Sequence, residues 1–215
     1  QVAPAGDIPL TITRGRTGMV ELSSIDKDAS ILYTINKEKK AKQYTEPISM
    51  RDGGTVTAWF ANNPSIKSSV TFKKLETIQT EVIYASSEEV DDGDAKNLVD
   101  GDPTTYWHSM YSVTVAKYPH WVDLDAGEVK TIKGFTYMPR QDSYNGNIKE
   151  YSIHVSMDGK NWGEPVQKGT FAGNRDEKKV IFSQPVKGRY IRFTALSEQY
   201  GQDYASGAEL TILAE

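Results

Sequence analysis

The chain consists of short segments in which apolar and polar residues alternate, and Gly, Pro, Asn and Asp separate these segments from one another. Alternation with a period of two indicates a strand with one packed face and one solvated face, and it is clear in Tyr151–Ser156. Apolar residues at helical spacing are nearly absent. Many short strands between turn residues are typical of β-sandwiches, so the sequence predicts an all-β protein.

The 215 residues are enough for two domains, because typical domains contain roughly 100 to 200 residues. The charged stretch Lys73–Thr77 has few packing residues, and a new strand pattern follows it at Glu81–Ala85. We therefore predict a spacer domain over residues 1–76 and a second domain over residues 77–215. The spacer contains six predicted strands, a number typical of an immunoglobulin-like sandwich: Leu10–Thr13, Met19–Leu22, Ile31–Ile35, Pro47–Met50, Thr55–Phe60 and Ser69–Phe72.

The second domain has the heavier aromatic content, and the alternation within its strands predicts a sandwich core. We interpret Trp107, Trp121 and Trp162 as core residues. After Glu81–Ala85, the predicted strands are His120–Leu124, Lys133–Met138, Glu150–Ser156, Lys179–Phe182, Arg189–Ala195 and Glu209–Leu213.

Composition excludes several classes of site. The absence of Cys rules out disulfide frameworks, thiolate zinc sites and cysteine nucleophiles. With 25 basic and 29 acidic residues and no basic block, the chain is not expected to bind nucleic acid. No apolar run approaches the roughly 20 residues of a spanning helix, and the chain opens at Gln1 with a polar stretch. The opening without Met indicates a fragment of a longer protein, and an engineered or processed start is the alternative. We expect that any export signal was removed or not included.

A series of motifs in the second domain occurs in a recognisable order: Asn97–His108, Trp121–Leu124, Tyr137–Asp142, Asn145–Tyr151, Val155–Trp162, Arg189–Phe193 and Ala208–Leu210. With these motifs the domain resembles the discoidin or coagulation-factor type C family, and within it the sugar-binding branch of family 32 carbohydrate-binding modules. The resemblance covers about Val82 to Leu213 and implies a discoidin-like, galactose-binding-like jelly-roll sandwich.

The first domain resembles the spacer found behind the catalytic domains of chitobiases and hexosaminidases. The supporting segments are Ile31–Ile35, Tyr44–Ile48 and Gly54–Ala58, whereas Asn36–Glu38 stands where that family usually turns on Asp-Gly. The resemblance implies that this chain is the C-terminal part of a glycoside hydrolase.

The loop Asp100–Thr105 is rich in oxygen ligands of the kind that calcium prefers. An ordinary Asp-Gly turn followed by a Pro kink is the alternative. The family resemblance implies a structural Ca²⁺ ion bound by oxygens of Asp100, Asp102, Thr105, Ala208 and Glu209. A second acidic stretch, Asp91–Asp94, lacks the later Glu of an EF-hand loop, so we interpret it as a solvated loop.

Three polar residues at predicted strand ends are candidates for sugar binding, and the resemblance assigns that role to His108, Arg140 and Asn145. Each has a structural alternative: a loop hydrogen bond for His108, an ion pair with Asp142 for Arg140, and a positive-φ turn at Asn145-Gly146. Sugars also need an aromatic platform for their C–H face. Tyr111, Tyr144, Tyr200 and Tyr204 all lie in predicted loops, and of these Tyr200 and Tyr204 are favoured.

No catalytic constellation is recognisable, and no Gly-x-Ser-x-Gly motif occurs. Together with this absence, the family resemblance implies a non-catalytic, calcium-stabilised carbohydrate-binding module in a secreted, periplasmic or cell-surface protein. It would target an attached hexosaminidase, galactosidase or fucosidase domain in cis to glycans that end in galactose-type or N-acetylhexosamine sugars. The alternative is an adhesive or lipid-binding discoidin-type module. Membrane insertion is not expected, because the predicted loops are polar.

Overall fold

The computed structural model describes residues 10–215 and divides the chain into two compact units. One unit ends at Leu75, and the other spans Glu76–Glu215. The division lies one residue before the boundary predicted between residues 76 and 77. Within residues 10–215, no helix combines the length and the apolar character that crossing a membrane requires.

The first unit is a sandwich of two antiparallel sheets. One sheet has the strand order β1–β2–β5 and the other has the order β4–β3–β6–β7. In β2 the buried Val20 and Leu22 alternate with more exposed residues, and in β6 Val56 and Ala58 are fully buried. These side chains meet in a single core between the sheets. The strands are β1 Thr11–Arg14, β2 Met19–Ser23, β3 Ile31–Ile35, β4 Lys42–Gln43, β5 Ile48–Ser49, β6 Gly54–Phe60 and β7 Asn63–Phe72.

The second unit, described over all of residues 76–215, contains nine strands and one short 3₁₀ helix, Ala95–Val99. In chain order these elements are β8 Thr77–Ile78, β9 Glu81–Ala85, the 3₁₀ helix, β10 Trp107–His108, β11 His120–Met138, β12 Glu150–Ser156, β13 Gln167–Thr170, β14 Lys178–Ala195, β15 Ser206–Gly207 and β16 Glu209–Ala214.

Two long bent strands, β11 and β14, pair with each other along most of their lengths. The register shifts between Asp125 and Lys130 and again between Ile132 and Gly134. The first half of β11 pairs with β9, and the second half pairs with β16. The strands therefore pass between two layers, β9–β11–β14–β12–β13 and β14–β11–β16–β8. The sequence predicted two separate strands within β11 and two within β14, because the bends read locally as turns.

The core of the second unit is built around Phe135 from the second half of β11. Its ring lies 5.5 Å from Tyr151 and 5.7 Å from Phe193, and both of those residues belong to the other layer. The rings of Phe171 and Phe182 complete the surroundings of Phe135. Side chains of both layers thus meet in one core, which confirms the predicted all-β fold with a jelly-roll sandwich as its second domain.

The tryptophans occupy different environments. Trp107 is buried, as predicted, whereas Trp121 and Trp162 are only half-buried, so their assignment to the core was wrong. Val122 and Leu124 point into the core, so the alternation of β11 turns Trp121 to the outer face of the sheet. There, the Arg192 guanidinium lies 5.4 Å from the ring of Trp121 and 4.4 Å from that of Trp162.

Candidate functional site

Three distant segments meet at Ser206, and this junction determines the layout of the candidate sugar site. The two-residue strand β10 pairs with β15, so that His108 lies opposite Ser206. On the other side of Ser206, Asn147 forms a parallel bridge, and the Gly146 carbonyl accepts a hydrogen bond of 2.9 Å from the Ser206 N–H. The segments that carry His108 and Asn145 are therefore neighbours in the fold.

His108 is 2% exposed and lies among aromatic rings. Its Nδ1 is 2.6 Å from the carbonyl of Ser109, which can only accept a hydrogen bond, so a neutral ring has its lone pair at Nε2. Burial lowers the pKa of His108, and the positive charge of Arg140 acts in the same direction. The ring centroid lies 4.9 Å from that of Tyr111 and 5.5 Å from that of Tyr204. His108 thus fits the role of a neutral hydrogen-bond acceptor.

Arg140 is held from two sides. Its Nε and Nη2 donate to the two oxygens of Asp142 at 2.5 and 2.9 Å, and its guanidinium carbon lies 3.6 Å from the ring centroid of Tyr106. The hydrogen bonds with Asp142 raise the pKa of Arg140 above its usual value. The ion pair with Asp142, which is the structural alternative that the sequence indicates for Arg140, is therefore present in the structure. Within residues 10–215, Nη1 makes no hydrogen bond, so the ion pair leaves donors for a ligand.

Asn145 occupies a turn and still presents its side chain to solvent. Gly146 has a φ of +74°, and the Asn145 carbonyl accepts a hydrogen bond of 2.6 Å from the Ser206 hydroxyl. The Asn145 N–H donates to the Ser143 hydroxyl at 3.1 Å. Its amide group makes no hydrogen bond to any residue from 10 to 215. The backbone thus serves the turn, while the amide remains available.

The two tyrosines favoured for the aromatic platform lie in different places. Tyr204 is half-buried and contacts His108. Tyr200 is 61% exposed and lies beside Tyr144, with the two ring centroids 6.3 Å apart. The structure therefore groups Tyr204 with His108, and Tyr200 with the segment that leads into Asn145.

Sequence reasoning missed the residues that support this cluster. Asp92, in the loop interpreted as solvated, accepts hydrogen bonds from the hydroxyls of Tyr106 at 3.3 Å and Tyr111 at 2.6 Å. This bond to Asp92 raises the pKa of Tyr111 to about 12. Glu89 accepts from the backbone N–H groups of Tyr111 and Ser112 at 2.7 and 2.9 Å. Asp92 and Glu89 thus hold Tyr106 and Tyr111 beside Arg140 and His108. No local sequence motif indicates these long-range contacts.

The loop predicted to bind calcium is organised by its own oxygens. The Asp100 carboxylate accepts hydrogen bonds from the Asp102 N–H at 2.8 Å and from the Thr105 hydroxyl at 2.7 Å. The 3₁₀ helix that ends before Asp100 packs against β16, whose first residue is the buried Glu209. Within residues 10–215, no cluster of three or more His, Cys, Asp or Glu side chains has metal-binding geometry. An ion here would therefore need hydroxyl and main-chain oxygens besides the carboxylates, which is a donor set that suits calcium.

The family model described as the F5/8 type C domain matches residues 82–210, which is more than half of the chain. The chain belongs to the F5/8 type C family. This family is the discoidin-like one that the sequence motifs indicated, so that prediction is confirmed.

Several bacterial proteins resemble the chain over a long stretch. A sialidase from Micromonospora viridifaciens is 38% identical over 172 residues, which are 78% of this chain and 26% of the sialidase. A family 32 module from Clostridium perfringens, solved with GalNAc-β-1,3-galactose, is 31% identical with a TM-score of 0.60, and the match covers 64% of this chain and 99% of that one. A second C. perfringens family 32 module, solved with galactose, is 27% identical with a TM-score of 0.57, covering 63% of this chain and 96% of that one.

These similarities identify the F5/8 type C domain as a carbohydrate-binding type of module, which is non-catalytic. The chain matches only about a quarter of the sialidase, so the activity of any longer protein is a separate question.

Proposed function

We propose that the F5/8 type C domain binds glycans that end in galactose or an N-acetylhexosamine, and that His108, Arg140, Asn145 and Tyr204 form the site. The observation that carries this proposal is the junction at Ser206, because it brings the His108 and Asn145 segments together from distant parts of the chain. The two C. perfringens modules solved with galactose-containing ligands support the choice of sugar.

Each side chain has a defined task in this proposal. The Nε2 of neutral His108 accepts a hydrogen bond from a sugar hydroxyl, and Nη1 of Arg140 donates to one or two hydroxyl oxygens of the sugar. The Asn145 amide both donates and accepts, which suits two neighbouring hydroxyls. The ring of Tyr204 packs against the C–H face of the sugar. The stacking of Arg140 on Tyr106 and its bond to Asp142 fix the guanidinium before the ligand arrives, which reduces the entropic cost of binding.

A shallow site of this kind is expected to bind a monosaccharide with a dissociation constant on the order of 1 mM, which corresponds to about 4 kcal/mol. The test is isothermal titration calorimetry with galactose and N-acetylgalactosamine on Asn145→Ala, His108→Ala and Arg140→Ala. Asn145→Ala is the most informative variant, because its amide is exposed and has no structural bond. We expect it to lose binding at least about tenfold while its melting temperature stays unchanged.

The matched control is His154→Ala, because His154 lies on β12 and outside the cluster. It should bind galactose as the wild type does. Normal binding by Asn145→Ala would refute the proposed site, and a large loss of stability in all three site variants would assign these residues a structural role.

We also propose that a structural calcium ion is held by oxygens of Asp100, Asp102, Thr105, Ala208 and Glu209. When bound, the ion would stabilise the loop through hard oxygen ligands and would take no part in sugar contacts. The supporting observations are the oxygen-rich loop and the packing of the preceding 3₁₀ helix against β16.

The calcium proposal predicts that EDTA lowers the melting temperature and that added Ca²⁺ restores it, since an ion that binds only the folded state stabilises that state. Asp100→Ala should be less stable than the wild type and insensitive to EDTA. An unchanged melting curve of the wild type in EDTA would refute the calcium site.

We propose, finally, that the module belongs to a secreted, periplasmic or cell-surface protein with a hexosaminidase, galactosidase or fucosidase domain in cis, and that residues 1–76 act as a spacer. The sialidase relative supports this, because most of its length lies outside the match. Tethering would raise the local concentration of substrate for the enzyme. Deletion of residues 77–215 from the full protein should reduce activity on a glycan-coated surface and leave activity on a small soluble substrate unchanged.

The alternative of lipid binding keeps one specific observation in its favour. Val113, in the loop that follows Tyr111, is 85% exposed, so the loops are less uniformly polar than the sequence suggested. Sedimentation with anionic liposomes separates the two functions. Pelleting with liposomes together with no heat of binding for either sugar would refute the carbohydrate proposal.

A further inference from the structure

Tyr144 and Tyr200 form an exposed aromatic pair that is separate from the His108 cluster. Tyr144 is 43% exposed and Tyr200 is 61% exposed, and their rings meet edge to face with centroids 6.3 Å apart. Neither ring belongs to the hydrophobic core. Two large aromatic side chains held together in solvent bury little surface, so core packing does not explain them.

The loop that carries Tyr200 is braced on the segment that follows Asn145. The Gln199 N–H donates to the Asn147 carbonyl at 2.9 Å, and the Gln199 amide donates to the Ile148 carbonyl at 3.2 Å. The buried Glu198 accepts hydrogen bonds from the N–H groups of Tyr200 at 2.7 Å and Gln202 at 3.0 Å. These hydrogen bonds therefore fix the backbone that carries the exposed Tyr200 ring.

Tyr144 is held by an arginine from another loop. The Arg175 guanidinium lies 4.7 Å from the centroid of the Tyr144 ring, and its Nη1 donates to the Gln141 carbonyl at 2.5 Å. One face of Tyr144 is thus covered, and its orientation is set. The pair offers a ligand the remaining ring surfaces and the tyrosine hydroxyls, which suit the C–H face and the hydroxyl groups of a sugar.

We propose that the Tyr144–Tyr200 pair is a second subsite, which receives the next neutral sugar of a glycan whose terminal galactose-type residue is bound by His108, Arg140 and Asn145. This proposal rests on the proposed function of that first site. Tyr144 is the chain neighbour of Asn145 and both side chains are exposed, so the pair is within reach of a sugar linked to one bound at Asn145. Rigid tyrosine rings provide a stacking surface at low entropic cost.

The test compares galactose with the disaccharide GalNAc-β-1,3-galactose by isothermal titration calorimetry. We expect the wild type to bind the disaccharide about five- to tenfold more tightly than either of its monosaccharides, in line with the usual strength of one aromatic stacking contact. Tyr200→Ala and Tyr144→Ala should lose this gain and bind the monosaccharides as before. Tyr84→Ala is the matched control, because Tyr84 is a similarly exposed tyrosine on β9. It should retain the gain.

The outcomes separate the two proposals. A wild type that binds the monosaccharides but gains nothing from the disaccharide, or a Tyr200→Ala variant that keeps the gain, would refute the second subsite and leave the first intact. A wild type that binds none of these sugars would refute both. Asn145→Ala should weaken monosaccharide and disaccharide binding alike, in contrast to the tyrosine variants.

Discussion

Gly146→Ala is the substitution that most directly tests the junction at Ser206. Gly146 has a φ of +74°, a conformation that L side chains rarely adopt. A Cβ atom placed there would lie 2.7 Å from the Ser206 nitrogen and 2.8 Å from the Ala205 carbonyl carbon. Both of these are backbone atoms of the segment that pairs with His108, so they cannot rotate away. The variant must therefore separate the strands that bring Asn145 and His108 together.

The expected loss in the free energy of unfolding of Gly146→Ala has two parts. The left-handed backbone costs an Ala residue about 1–2 kcal/mol. Displacing packed backbone atoms adds about 1–3 kcal/mol, as overpacked cores do. Together they predict that the free energy of unfolding of the second unit falls by about 2–5 kcal/mol. In urea this corresponds to a midpoint lower by about 1–2.5 M, given a slope of about 2 kcal/mol per M.

Gly127→Ala is the matched control for this measurement. Gly127 has a φ of +76°, yet a Cβ atom there would meet nothing within 4 Å. The control therefore carries only the backbone cost of about 1–2 kcal/mol. Tryptophan fluorescence follows the transition, since three of the four tryptophans lie in the second unit. Equal urea midpoints for the two variants would refute the tight junction.

Two further predictions concern titration. Burial lowers the pKa of His108, His120 and His154, so between those values and about 6.5 the unfolded chain binds more protons than the folded one. The contribution of these histidines to the free energy of unfolding is complete above about pH 6.5, and it should decrease as the pH falls below that value. A urea midpoint that is constant between about pH 7.5 and about pH 5.5 would contradict this prediction. Asp92→Asn should move the pKa of Tyr111 from about 12 back toward its ordinary value, as followed by NMR of labelled tyrosine. Asp91→Asn removes the same charge from the neighbouring exposed residue, and it should leave the pKa of Tyr111 unchanged.

Strands with clear alternation were predicted within narrow limits. Ile31–Ile35, Glu81–Ala85 and Glu150–Ser156 have the predicted bounds, because the period of two and the flanking turn residues are local properties. By contrast, β11 and β14 continue through bends that resemble turns, since pairing with a neighbouring strand decides whether a bend interrupts a ladder.

The short strands that build the candidate site were not predicted at all. Two residues of β10 and two of β15 carry no detectable period, and their pairing joins Trp107 and His108 to a segment about a hundred residues later. Non-local pairing of this kind depends on the whole sandwich. The same holds for Asp92, whose bonds to Tyr106 and Tyr111 require the β10 segment to be in place.

Alternation, turn residues and ordered motifs are local properties of the chain, and they were enough to predict the all-β class, the jelly-roll family of the second domain, and the positions of Arg140 and Asn145 outside the strands. His108 was expected in a loop at a strand end, but it lies in the two-residue strand β10. The three-dimensional arrangement was needed to show which aromatic ring stands beside His108 and which stands beside Asn145. It places Tyr204 at the first and pairs Tyr200 with Tyr144 near the second. The physical reason is that the positions of the loops relative to one another depend on which strands pair. That pairing depends on how the side chains of the whole domain pack in the core.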